Sequence, residues 1–393
     1  MAEVIRANIN PQLLVWARFS AGISIELAAK KLNVRSSRLG EWEDGSVQPT
    51  IRQLRNCANV YRRPLAAFFF VEPPESEPEI RDFRHIPSPE DDAKGYLVRF
   101  EIRRARQTRE RFLQLTEQRD SDVAHVALHT RSNANPEKLG GKVREILDLT
   151  IEEQFSWRNS HQALRAWIGL IERQNVLVMQ CSRIPSSVMR GFSLYYKTIP
   201  VIMLNGGEKP NGRIFTLLHE FAHLMLRNAG LCDTVEYRGV SSSNQSVERF
   251  CNRLSASALV PAKLLVTHFL NNMRGPVDTW IDTILDAAAN KFNVSQQVIL
   301  GRLRDLEYID SVAYFERLKE MQAAFRRRED AEGSTKEAPV YYPTQVRNCG
   351  YVFTSTVVRA HNRGVLSALD VCRYLDIKLK SLPGIERAVT GGK

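Results

Sequence analysis

The chain has 393 residues, with 55 Lys and Arg against 44 Asp and Glu, and 43% of it is hydrophobic. That length supports two to four domains with substantial cores, and the composition is that of an ordinary globular protein rather than a disordered or fibrous one. No apolar run approaches the roughly 18–20 residues that span a bilayer, and the opening MAEVIRANINPQ lacks the apolar core of a secretory leader. A cytoplasmic protein with no membrane partner is therefore expected. Six cysteines without C-x-x-C spacing read as reduced, buried small hydrophobes. The net charge of +11 is compatible with nucleic acid or an acidic protein as partner.

Short helices are expected from Gln12 to about Ala67. Ser24 caps an amphipathic run to Leu32, Asn33-Val34 turns the chain, and Arg35 to Gly45 forms a second helix carrying the apolar Leu39 and Trp42. Pro49-Thr50 then opens a further helix, Ile51 to Tyr61. This pattern, with its E-x-G stop and following Q-P-T, resembles the helix-turn-helix of the phage-repressor (XRE) family. The resemblance implies that the second helix of the pair faces a DNA major groove, with Ser36, Ser37, Arg38 and Glu41 as the groove-facing residues. Glu41, Glu43 and Asp44 depart from the Gln, Arg or Lys usual in such readers. Residues 1–64 hold ten Lys/Arg against five Asp/Glu, so the module stays net basic. DNA binding and a docking or dimerisation role both stand.

Glu72 to Glu79, dense in proline and acid, reads as a linker. A long basic helix follows from about Asp91 to Gln118, then an amphipathic pair, Pro136 to Leu147 and Ile151 to Gln174. Strands are expected at Asn175 to Met179, Gly191 to Tyr196 and Ile199 to Leu204, with Pro200 confined to a strand start or an edge. An edge strand here, beside the next helix, would let an extended peptide add to the sheet. Leu231 to Ser243 reads as irregular and polar, a helix is expected from Gln245 to Leu259, and the chain then looks helical to Arg328. Its small residues Ser255 to Ala258 would admit a neighbouring helix closely. Glu329 to Pro339 is a second linker, and the tail from 341 carries helices at Val357 to Leu366 and Ala368 to Leu375.

The chemistry concentrates in Thr216-Leu-Leu-His-Glu-Phe-Ala-His-Leu-Met-Leu226, an H-E-x-x-H pattern inside a helix-periodic apolar run. His219 and His223, four residues apart, project from one helical face and suit a divalent metal, zinc above all. Glu220 is placed to take a proton from the attacking water of a hydrolysis. Two buried imidazoles without a partner would be costly, which favours the metal. A catalytic zinc needs a third protein ligand, and Glu248 on the following helix is preferred. Asp233 and Glu236 lie in the loop, and His268 lies beyond the Pro261 break. Cys251 reads as packing, Asn252 as orienting a ligand, and Tyr195, Tyr196, Tyr237 and Arg238 are candidate oxyanion donors.

Together, R-I-F-T-L-L-H-E-F-A-H-L-M-L, the preceding P-V-I-M-L-N and the later V-E-R-F-C-N-R-L-S-A-S-A-L-V-P resemble the ImmA/IrrE family of zinc metallopeptidases. The XRE-type start and D-F-R (Asp82-Phe83-Arg84) resemble a two-domain form of it. Cys251 stands where that family more often has Ala. The resemblance implies zinc as cofactor, His219, His223 and Glu248 as its ligands and Glu220 as general base. It also implies a regulatory endopeptidase that cuts a partner protein, often an XRE-type repressor. Chains of this form are similar, too, to antitoxins encoded beside a cognate toxin, which leaves a DNA-binding regulator or antitoxin as the alternative function. The expected fold class is α+β. A helix-turn-helix domain (1–72) and linker (73–79) precede a helical connecting region (80–174) and a zincin-like peptidase core (175–262). A helical part (263–328), a linker (329–340) and a small helical tail (341–393) complete it.

Overall fold

A computed structural model describes residues 6–74, 81–82, 95–116, 129–227, 230–232, 242–271, 273, 275–331 and 341–390. Most of both expected linkers, together with Asp233, Glu236, Tyr237 and Arg238, lies outside the described residues. The chain divides into two compact units: Met1–Glu79 with Pro87–Arg104, and Ile80–Ile86 with Ala105–Lys393.

The first unit is helical. Helices α1 (Pro11–Ala21), α2 (Ile25–Leu32), α3 (Ser36–Glu43) and α4 (Ile51–Tyr61) surround Leu13, Leu14, Leu39, Trp42, Leu54 and Tyr61, all essentially sealed from solvent. Local signals set the boundaries. Ser24 caps α2 through the Leu27 N–H, Asn33 ends it in the left-handed region, and Thr50 with Gln53 forms a capping box on α4. The first half of α5 (Gly95–Thr116) closes this unit with Phe100. Arg18 grips both carboxylate oxygens of Glu43 at 2.8 Å, a bidentate pair joining α1 to α3.

The second unit is built on a five-stranded sheet. Its strands are β1 (Arg81–Asp82), β2 (Leu177–Cys181), β3 (Gly191–Leu194), β4 (Val201–Asn205) and β5 (Gly230–Cys232), in the order β1-β5-β3-β4-β2. β2 runs parallel to β4, β3 is antiparallel to both β4 and β5, and β1 is parallel to β5. Every residue of β2, β3 and β4 is buried, so both faces of the sheet are covered. On one face α8 (Ser160–Glu172) and α9 (Pro210–Met225) pack on the strands, and α6 (Pro136–Ile146), α7 (Ile151–Ser156) and α10 (Ser242–Leu259) pack with them in the same core. They share a core with α11 (Ile281–Phe292) and α12 (Gln296–Asp305), in which Trp167, Phe221, Leu254 and Phe292 are buried. The tail helices α14 (Tyr341–Cys349) and α15 (Tyr351–Asn362) pack against β2; they follow α13 (Ser311–Ala331) and precede α16 (Ala368–Leu375) and α17 (Leu382–Thr390).

Several expectations change. The strand beside the H-E-x-x-H helix, β3, is interior rather than an edge, because Gly230–Cys232, expected as the helix stop and the start of an irregular segment, pairs with it as β5. Direct addition of a peptide to β3 is therefore ruled out. Arg81–Asp82, in the stretch expected to be helical, forms the outermost strand. The helix expected over Ile151 to Gln174 is two, because Trp157 leaves the helical region and Asn159 starts a new cap on the Gln162 N–H. The close approach anticipated at Ser255 to Ala258 is real: Gly140 of α6 lies so near that a Cβ there would sit 2.9 Å from the Ala258 nitrogen.

Glu172, at the end of α8, accepts backbone N–H groups from Val178 at the start of β2 and Val352 at the start of α15. The residue is half-buried, but its Oε1 is sealed from solvent without a partner, and burial pushes the carboxyl up to about 8. The folded state then holds this proton more tightly than the unfolded chain, so the group weakens the fold as pH rises from about 4.5 through 8. Glu172→Gln should flatten this dependence: the melting temperature of the wild type should fall more between pH 6 and pH 9 than that of the variant, with equal slopes counting against the assignment.

Candidate metal centre

Helix α9 starts at Pro210, whose missing N–H costs nothing at the first helical position, and ends at Leu226, followed by Arg227 at φ 54°. From Arg213 to Met225 every residue except Phe215 is buried. A helix enclosed on all sides holds polar side chains only where neighbours satisfy them. His219, Glu220 and His223 are each 0% exposed.

Their partner comes from α10. Glu248 places Oε2 3.2 Å from His219 Nε2 and Oε1 3.3 Å from His223 Nε2, while the two Nε2 atoms are 3.1 Å apart. Four-coordinate zinc with ligands at about 2.0–2.1 Å has ligand–ligand edges of about 3.3–3.4 Å, so the three groups already stand at nearly the separation that such a cation requires. Apart from the imidazoles, neither buried Glu248 oxygen has a hydrogen-bond donor among the described residues. Among the described residues, His219, His223 and Glu248 are the group of potential ligands whose atoms converge, all within 4.8 Å of one another. Two imidazoles and a carboxylate match a catalytic zinc donor set and leave a fourth position for solvent.

The electrostatics agree. Burial would lower the His219 imidazole, but hydrogen bonding and attraction from Glu248 carry it above its ordinary value. His223 moves down, because burial outweighs the Glu248 hydrogen bond and His219 repels it. Burial would raise the Glu248 carboxyl, yet His219 and His223 hold it far below the carboxylate range. The opposed shifts of His219 and Glu248 are those of an imidazole and a carboxylate that favour opposite charges, and a metal bound here would compete with a proton for the same donors.

Helix α10 also brings up Cys251 and Asn252, one turn after Glu248. Asn252 stands near enough to favour the charged form of the His219 ring, but among the described residues neither its Oδ1 nor His219 Nδ1 completes a hydrogen bond, so the orienting place expected for it is not filled. Cys251 is fully buried, and burial, with Glu248 and Glu220 nearby, pushes its thiol well above normal, so it stays a protonated packing group. His268 stacks edge-on against Phe155 and lies outside the cluster. Tyr196 carries the Arg109 guanidinium over its ring at 3.7 Å, and Tyr195 packs against the core.

Sequence reasoning passed over Gly191. A Cβ at this β3 position would lie 2.6 Å from Thr216 Cγ2, 3.0 Å from the Met203 carbonyl oxygen and 3.3 Å from Glu220 Oε1. The bare glycine lets α9 lie close on the sheet and leaves the space beside the Glu220 carboxylate clear. A lone Gly at the head of a β-rich run was the available signal.

This arrangement defines a buried helix pair able to hold a divalent cation beside a carboxylate. The family model Peptidase_M78, the IrrE N-terminal-like domain, matches residues 171–304, which contain β2 to β4, α9 and α10 with His219, Glu220, His223 and Glu248. The match supports the ImmA/IrrE family for that segment, roughly a third of the chain, and a peptidase-type domain of a generally zinc-dependent family. No curated protein matches the chain.

Two outcomes test the geometry. Glu248→Gln should weaken zinc binding by more than about a hundredfold in equilibrium dialysis, beyond the ~10–100-fold typical of an outer-sphere change, while far-ultraviolet circular dichroism stays the same. Gly191→Ala should destabilise the fold by about 1–3 kcal/mol in urea titration through overpacking against Thr216 and the Met203 carbonyl; an unchanged midpoint would mean that α9 shifts freely.

Proposed function

We propose that the chain is a regulatory zinc-dependent endopeptidase that cleaves a partner protein, with a transcriptional repressor of XRE type as the expected substrate. One observation carries this reading: Glu220 stands beside the first imidazole of a converged His219–His223–Glu248 set, enclosed in the core of the domain that the family model matches. His219 and His223 would hold zinc through Nε2 and Glu248 through a carboxylate oxygen. Zinc supplies the positive charge that polarises a peptide carbonyl and makes water acidic. Glu220 takes the proton from the attacking water on its carboxylate and returns it to the departing amide nitrogen. Its burial keeps bulk water from competing for that proton.

The test uses Glu220→Gln, which changes the base and leaves the three ligands in place. Zinc content should match the wild type, while cleavage of a protein captured by the variant should fall by at least about a hundredfold, the lower range for a lost general base. Equal cleavage by both would remove the peptidase reading.

For the first unit we propose a helix-turn-helix that docks on double-stranded DNA, and the supporting observation is that Arg35, Ser36 and Ser37 are exposed at the start of α3. Arg38 and Glu41, by contrast, are tied to each other at 2.5 Å, and Glu43 is committed to Arg18. Glu41→Gln should therefore free Arg38 and tighten duplex binding, Arg38→Ala should weaken it, and both affinities should fall steeply with salt. Fluorescence anisotropy with a duplex of the upstream region reads this out; no retention at low salt would leave the unit as a protein-docking module.

A further inference from the structure

Arg213 is 5% exposed, on the catalytic helix and six residues before His219. It donates through one guanidinium nitrogen to Gln180 Oε1 at 2.7 Å, while its buried Nε has no partner among the described residues. Burial brings it down to about 10, and repulsion from Arg347 adds to this. Arg347, on tail helix α14, reaches the same end of β2: it donates to Ser182 Oγ at 2.8 Å and to its neighbour Asn348. Gln180 lies on β2 and Ser182 in the bend just past its end, and Arg347 is near enough to Arg213 to repel it. Two guanidinium groups therefore meet at one end of β2.

Neither guanidinium pairs with a carboxylate among the described residues. The nearest acid influencing Arg213 is Glu208, which is held by Arg190 at 3.5 Å and accepts from Thr216 at 3.4 Å. Arg190, Arg213 and Arg347 against Glu208 leave two positive charges, about the negative charge of one phosphate dianion. Buried Arg144 shows what a purely structural arginine looks like here: its donors go to Gln154 Oε1 and to the Ala258 and Leu149 carbonyls. Arg213 keeps a donor in reserve. Gly206 completes the cradle, because a Cβ there would lie 2.9 Å from Ser182 Oγ and 3.1 Å from an Arg347 nitrogen.

We propose that Arg213, Arg347, Ser182 and Gly206 form a binding site for a small phosphate group, at the junction of the tail with the catalytic helix. Arginine forks bind phosphate oxygens two at a time, and a dianion there offsets the two uncompensated charges. Such a ligand bridges α14 to α9, which makes it an effector site separate from the His219–His223–Glu248 cluster. The proposal does not depend on peptidase activity.

Isothermal titration of the full-length, zinc-loaded chain with inorganic phosphate tests it, with adenosine 5′-monophosphate as a second arm to separate free phosphate from a phosphate monoester. Chloride at matched ionic strength is the control. Saturable binding in either arm is expected, weakened about tenfold or more by Arg347→Gln and also weakened by Ser182→Ala, which removes an exposed hydroxyl and leaves the core untouched. Should Arg347→Gln fail to fold, Ser182→Ala alone decides. No saturable binding in either arm, or binding that the variants leave unchanged, overturns the proposal.

Discussion

The second unit depends on one electrostatic problem, the burial of two imidazoles and a carboxylate at mutual distances of 3.1–3.3 Å. Two imidazole lone pairs this close repel unless something positive lies between them. A proton relieves the repulsion in one way, raising His219 and depressing Glu248. A divalent cation relieves it for all three donors at once. The surrounding architecture follows from holding the donors still: α9 is buried from Arg213 to Met225 apart from Phe215, α10 supplies the carboxylate from a rigid helix, and β3 offers a glycine where a side chain would collide with α9.

Rigidity reaches further than the donors. Close approach between Gly140 and Ser257 locks α6 to α10, and Ser257 Oγ donates to the Pro136 carbonyl. Glu137 accepts from the Ala262 N–H and from Arg302, which fixes the chain where α10 ends. These contacts anchor the C-terminal end of α10, the helix that carries Glu248. On the other side, the tail covers β2, so that edge of the sheet is closed to a peptide.

Much of the candidate centre was legible because its signals are local. The i, i+4 histidines, the adjacent Glu220 and the Pro210 start all belong to one helix, and Glu248 could be chosen because a rigid second helix was visible in the periodicity. Sheet order was not legible. Gly230–Cys232 is too short and too weakly β-forming to announce itself, and it pairs only because β3 presents an open ladder beside the helix end. Tertiary context decided that pairing, and with it whether β3 was an edge. The Arg213–Arg347 convergence was equally invisible, since the two are joined by a strand end that neither adjoins in sequence. The same turn recurs where no repeat is evident: helices α2, α11 and α16 each end on a left-handed Asn33, Asn293 or Asp376, and the next residue's N–H bonds back to the Ala29, Ala289 or Cys372 carbonyl. Backbone geometry carries that likeness more than side-chain identity does.

The zinc-edge X-ray absorption spectrum of the metal-loaded chain tests the central claim most directly, because it reads the donor atoms themselves. Two imidazole nitrogens and oxygen donors at about 2.0–2.2 Å, with no sulfur shell, are expected. A sulfur shell near about 2.3 Å, which would implicate Cys251, or the loss of the imidazole scattering would contradict the assignment of His219, His223 and Glu248.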